Sequence, residues 1–128
     1  MNPFKQQGAF SWCELMTSDI GAAKDFYQQL FGWTWKDEPM EGGKTYTTIK
    51  IGEQPIGGVL STDDALSGET PPPHWGVYVT VDNVDQTIEL AQSMGAKVFV
   101  PPTDIPDTGR FAVFADPQGA VLSIISYS

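Results

Sequence analysis

Residues 9–60 and 74–127 pass through the same succession of signals at an offset of 63 positions, and this internal repeat limits the folds open to the chain more than anything else in it. The offset pairs Trp12 with Trp75, Thr17 with Thr80, Asp19 with Asp82 and Gly32 with Gly95. In each half a strand-like run leads to an acidic helix-capping residue, and a glycine stops the helix 13 residues later. Neither copy could cover the apolar face of its own sheet alone. Two copies in one chain therefore imply one pseudo-symmetric domain over residues 1–128.

Within the first copy, residues 10–16 alternate as a strand does, with Phe10, Trp12, Glu14 and Met16 on one side and Ser11, Cys13 and Leu15 on the other. Glu14 is the outlier on an otherwise apolar face. Cys13, of opposite parity, is expected to pack under the helices as a small buried hydrophobe. Ala22, Ala23, Phe26, Tyr27, Leu30 and Phe31 recur at helical spacing, which predicts a helix over residues 20–31 that Asp19 caps and Gly32 stops. Extended pieces follow at 34–35, 46–51 and 56–60. Residues 61–73 have no period and many breakers, and read as a connector. The second copy repeats the pattern: a strand over 74–81, a helix capped by Asp82 and ended by Gly95, and strands over 97–100, 110–115 and 120–126. The expected fold class is α+β, built of paired β-α-β-β-β modules at residues 9–60 and 74–127.

Composition narrows the chemistry. Seven basic residues stand against 16 acidic ones, a net charge of −9, which repels phosphate backbones and anionic headgroups. Nucleic acid and membrane are thus not expected as partners. The sole cysteine, Cys13, rules out an intrachain disulfide and a Cys-rich zinc site, and the sole histidine, His74, rules out any site built on several imidazoles of one chain. No apolar run reaches the length of a membrane span, roughly 18 residues, and no apolar signal core follows Met1, so a cytoplasmic location is expected. Aromatic residues make up 12% of the chain, with four tryptophans, enough to line a small-molecule cavity as well as a core.

The string Asp19-(x)6-Phe26-Tyr27-(x)2-Leu30-Phe31-Gly32-Trp33, with Val81-Asp82-Asn83-Val84-Asp85, Gly95-Ala96 and Ala115-Asp116-Pro117-Gln118-Gly119, resembles the vicinal oxygen chelate superfamily of glyoxalases, bleomycin resistance proteins and extradiol dioxygenases. The resemblance implies modules in pseudo-twofold arrangement whose sheets curl around a cleft, and a homodimer. Metal-using relatives place a His, Gln or Glu ligand in the first and last strands of each module. Carried over residue by residue, those places fall on Trp12, on Gly76 or its neighbour Trp75, near Gly57 or Gly58, and on Ile124. None offers a metal-binding side-chain atom, so no cofactor is expected and a divalent metal is disfavoured. A register slip of two residues would bring in Glu14 and His74, only a pair of donors.

The candidate site residues are Trp12, Glu14, His74, Trp75, Tyr78 and Arg110. A carboxylate against an indole in a partly dry cleft suits Glu14 to act as a general base or to recognise a hydroxylated or cationic guest; otherwise it is a strand-end glutamate reaching solvent. His74, after three prolines, is either a proton shuttle or a rim residue packed on rings. Arg110, the sole arginine, either clamps an anionic group or joins a surface ion pair. Trp12, Trp75 and Tyr78 would stack on an apolar ligand. The expected function is binding of a small molecule in an aromatic cleft without metal. The alternative is a glyoxalase-like lyase or isomerase, or a dioxygenase-related enzyme, working through Glu14 and His74.

Overall fold

The computed structural model describes residues 1–64 and 71–128; much of the connector expected at 61–73 therefore lies outside the described residues. Two compact units are present, Trp12–Trp75 and Met1–Ser11 with Gly76–Ser128.

The first unit carries β1 (Phe10–Thr17, from Trp12 onward), α1 (Ile20–Phe31), β2 (Thr34–Pro39), β3 (Thr45–Ile51) and β4 (Gln54–Ser61). β1 runs parallel to β4, β4 antiparallel to β3, and β3 antiparallel to β2. Asp19 caps α1 by accepting the Ala22 N–H at 3.0 Å, and Gly32 closes it in the left-handed region at φ 74°, where a side chain would be strained. Ala23 and Tyr27 turn inward against the buried Leu15, Ile49 and Val59. No residue of α1 is itself fully buried, and Phe26 and Phe31 are 57% and 60% exposed.

The β3–β4 register slips at one place. Ile49 sits opposite Gly57 and Lys50 opposite Pro55, which leaves Ile56 as an extra residue in β4. Such a bulge turns adjacent side chains to the same side of the sheet. Ile56 thereby joins Gly57 on the face that carries Cys13 and Leu15.

The second unit holds β5 (His74–Thr80, from Gly76 onward), α2 (Val84–Ser93), β6 (Lys97–Ile105), β7 (Gly109–Ala115) and β8 (Val121–Tyr127). β5 is parallel to β8, and β7 lies antiparallel between β8 and β6. Opposed pairs set the two faces: Ala112 and Ile124 join Val84 and Ile88 beneath α2, while Phe111 and Ile125 pack with Val100 on the other side. The N-terminal segment belongs to this unit, because Gly8 N–H bonds Thr80 O, Thr80 N–H bonds Ala9 O and the Thr80 hydroxyl donates to Pro3 O.

Both modules thus have the expected α+β order, with two local corrections. Asn83, not Asp82, caps α2, accepting the Gln86 N–H at 3.0 Å. The repeat therefore gains a residue between strand and helix, and Asp82 instead uses its backbone N–H on Gln7. β6 also continues through Pro101 and Pro102, where a break was expected. Among the described strands it pairs only with β7, and its register shifts between Val100 and Thr103, so the prolines sit where ladder hydrogen bonds are already lost. No described helix is long and apolar enough to cross a membrane.

The cap assignment has a direct test. Asn83→Ala should lower unfolding stability by about 1 kcal/mol, and Asp82→Ala by much less, as read from urea unfolding midpoints.

Candidate functional site

On the Trp12–Glu14 face of the first unit, three side chains form one hydrogen-bonded chain. The Trp12 indole N–H donates to the Tyr46 hydroxyl at 2.9 Å, and that hydroxyl donates to Glu14 Oε2 at 3.0 Å. Glu14 is 9% exposed, so its carboxylate is held in a partly dry setting with a fixed donor on one oxygen.

Strand order explains how Tyr46 gets there. Tyr46 is on β3 and Glu14 on β1, with β4 between them. Each strand step is roughly 4.8 Å, so the phenol must cross β4 to reach the carboxylate. The β4 residue beside Glu14 is Gly58, and a Cβ there would collide with the Tyr46 hydroxyl. The absence of a side chain at Gly58 is what lets the ring lie across the strand.

The other face has a different character. Cys13 is exposed and lines an apolar cavity of about 440 Å³ with Tyr27, Phe31, Trp33, Ile49 and Trp75. This corrects the expectation of a buried Cys13. Its parity is as read, on the α1 side, but Leu15 joins the cluster packed against α1 while Cys13 faces the cavity that Tyr27 and Phe31 of α1 also line. Trp75 belongs here too, its indole N–H on the Tyr27 hydroxyl at 3.2 Å. Trp12 and Trp75, expected in one aromatic cleft, are thus divided: Trp12 shares its face of β1 with Glu14, and Trp75 lines the cavity on the Cys13 face.

The remaining candidates are placed as follows. His74 is exposed, with Nδ1 2.8 Å from Pro72 O; since a carbonyl only accepts, Nδ1 carries a proton and the ring is tied to its own turn, not to Glu14. Tyr78 is half-buried against the cluster of Val100, Phe111 and Ile125. Arg110 forks onto Asp85 through Nε at 2.8 Å and Nη2 at 3.0 Å, and reaches Asp104 through Nη1 at 2.9 Å. Hydrogen bonding to Arg110 holds the Asp85 carboxyl below its usual 3.8, and both carboxylates push the Arg110 pKa upward.

Among the described residues the expected ligand positions bring no donor set for a divalent ion together. Neither Trp12 nor Gly58 has a metal-binding side-chain atom, and Tyr46 fills the space over Gly58. Ile124 proves to be a core residue, 2% exposed beneath α2, so it lies on the wrong face for a ligand; its neighbour Ser123, aligned with Tyr78, has the opposite parity. Among the described residues no three His, Cys, Asp or Glu side chains cluster as such an ion requires.

Tyr46 escaped the sequence reading, and Gly58 entered it only as an expected ligand position, not as the gap the Tyr46 ring crosses. The available signal was the Gly57-Gly58 pair inside a strand pattern, which marks a close approach of other atoms to the backbone.

Residues 9–124 match the model of the Glyoxalase/Bleomycin resistance protein/Dioxygenase superfamily. The chain belongs to that superfamily. Among curated superfamily relatives, CFP32 of Mycobacterium tuberculosis (strain CDC 1551 / Oshkosh), whose name marks it as a candidate glyoxylase, is 37% identical over 120 residues, covering 94% of this chain and 44% of that protein. The anthracycline biosynthesis protein DnrV of Streptomyces peucetius is 32% identical over 127 residues, covering 91% of this chain and 46% of its own length. The chain thus spans less than half the length of these curated relatives. The superfamily fold recurs in the hypothetical protein BH1468 of Bacillus halodurans C-125, at TM-score 0.66 and 15% identity over 96% of each chain. A variant of Streptomyces coelicolor methylmalonyl-CoA epimerase, solved with 2-nitronate-propionyl-CoA, aligns at TM-score 0.65 and 16% identity over 96% of this chain and 99% of its own.

Gly58→Ala should cost about 1–3 kcal/mol through overpacking against Tyr46, and much less in a Tyr46→Ala background, a coupling that a double-mutant cycle in urea measures. For Arg110 the sign follows from the depressed Asp85 pKa: the stabilisation is present above 3.8 and is lost as pH falls through the lower folded value. Arg110→Gln should therefore be less stable than the parent at neutral pH, with the gap closing in strong acid, as followed by unfolding midpoints across a pH series.

Proposed function

We propose that this superfamily member binds a small molecule on the Trp12–Glu14 face, without a divalent metal, through the Glu14 carboxylate and the Trp12 ring. The observation that carries the reading is the Trp12–Tyr46–Glu14 chain. It fixes a low-exposure carboxylate beside an indole, in the region where metal-using relatives would place ligands. A carboxylate held in this way accepts hydrogen bonds from hydroxyl or amine groups of a guest, and the indole gives it an apolar surface or a cation–π partner. A net charge of −9 favours neutral or cationic guests over anions.

The names of the relatives agree with a small organic guest, since one is named for glyoxylase chemistry and another for anthracycline biosynthesis. Those proteins are more than twice as long as the aligned region. Assembly of this chain as a homodimer is part of the proposal.

Arg110 has no place in this reading, because its guanidinium is engaged by Asp85 and Asp104. His74 contributes at most from the rim, and the role left for Glu14 is recognition rather than proton transfer in partnership with an imidazole.

Thermal shift against a panel of hydroxylated and cationic metabolites, polycyclic aromatics and divalent ions tests the reading. An organic ligand should raise Tm, and Glu14→Gln or Tyr46→Phe should weaken its binding by about tenfold. Stabilisation by a divalent ion, with no response to any organic compound, would overturn it.

A further inference from the structure

The cavity beside Cys13 has no part in the site proposed above, since Cys13 and Glu14 project from opposite faces of β1. We propose that it is a second binding site, shaped for a flat, uncharged aromatic molecule. At about 440 Å³ it falls within the volume of small-molecule sites, roughly 300–1,000 Å³.

The chemistry of the walls selects the guest. Among the described residues no Asp, Glu, Lys, Arg or His lines the cavity, and its side-chain polar groups are the Cys13 thiol, the Tyr27 hydroxyl and the indole N–H groups of Trp33 and Trp75. The Trp75 N–H is already spent on the Tyr27 hydroxyl. An ionic guest would surrender its hydration with no countercharge to replace it, and the acidic chain would further repel an anion. A planar ring instead meets aromatic edges and faces, which gain most from offset or edge-to-face contact.

The cavity is also held open by its own walls. Trp33 lies 5.6 Å from Tyr27, 5.0 Å from Phe31 and 6.1 Å from Trp75, ring centre to ring centre, so no one of these rings can swing inward without breaking contact with the others. At the floor a Cβ on Gly57 would come 2.7 Å from Cys13 O and 3.4 Å from an Ile49 methyl, so the strand cannot plug the space with a side chain of its own. The β4 bulge places Ile56 at the wall rather than on the Glu14 face. Ile49 is 2% exposed whereas Phe31 and Trp75 are 60% and 43% exposed, the profile of a recess with an aromatic rim.

Fluorescence titration of the intact chain with neutral phenylnaphthylamine and its anionic analogue anilinonaphthalene sulfonate tests the proposal. The neutral probe should bind more tightly than the anion, and Cys13→Phe, which fills the recess, should weaken it by about tenfold, while Tyr46→Phe on the other face changes it by less than about twofold. A second readout uses the parent protein alone: saturating neutral probe should slow alkylation of Cys13 by about tenfold, whether or not Cys13→Phe folds. Unprotected Cys13 at probe saturation, tighter binding of the anion, or equal binding by a folded Cys13→Phe chain would each overturn the proposal. So would a variant that changes only self-association in sedimentation and leaves the probe bound. Loss of ligand response in Tyr46→Phe with this cavity intact would bear on the Glu14 site and not on this one.

Discussion

Gly57 and Gly58 occupy the strand between β1 and β3, and what each admits decides the character of one sheet face. At Gly58 the Tyr46 phenol crosses β4 and closes a hydrogen-bonded chain from Trp12 to Glu14. At Gly57 the backbone comes close enough to Cys13 that no side chain fits, and the bulged Ile56 turns to the same side. A pair of ordinary strand residues here would remove the polar chain and the apolar recess together. β-strands seldom carry adjacent glycines, because glycine weakens pairing and contributes no packing. The cost is offset here by the Leu15, Ile49 and Val59 cluster, which holds the sheet to α1 on either side of the gap.

The two faces consequently differ in what they can recognise. On one, a carboxylate is oriented by a phenol that is itself oriented by an indole, so a guest bound there as proposed would meet a preset acceptor. On the other, a guest would be held by shape and ring contact alone. The first site would discriminate by hydrogen-bonding pattern and the second by size and charge.

Much of the fold was legible because helix caps and stops are local chemistry. Asp19 and Gly32 act in the structure as they read in the sequence, and the β-α-β-β-β order follows from them. The misreadings came where a local signal was ambiguous by a single residue. Asp82 and Asn83 are both good caps, and only the extra residue in the turn after Thr80 decides between them. Ile124 and Ser123 differ by one step of strand alternation, which carries a side chain from one face to the other. For Cys13, parity gave the face correctly but could not give the extent of α1 over it. Tyr46 was out of reach because its partners, Trp12 and Glu14, are more than 30 positions away, as the 34- and 32-residue separations of its hydrogen bonds show, and no periodicity links them.

Charge placement bears on what the Glu14 face can accept. Of the seven basic residues, Lys24, Lys36, Lys44, Lys50 and Arg110 each lie within ion-pair distance of a carboxylate, and Lys97 stands over the Phe99 ring. Exposed pairs of this kind add little to stability, yet they occupy most of the few cations this chain has. An anionic guest would therefore approach a surface of excess carboxylate. The same distribution eases the approach of a cation, since clefts of one sign concentrate the opposite charge. The scarcity of basic residues thus acts on recognition more than on folding, and it sets the Glu14 carboxylate, rather than any cationic clamp, as the group around which a ligand would be oriented.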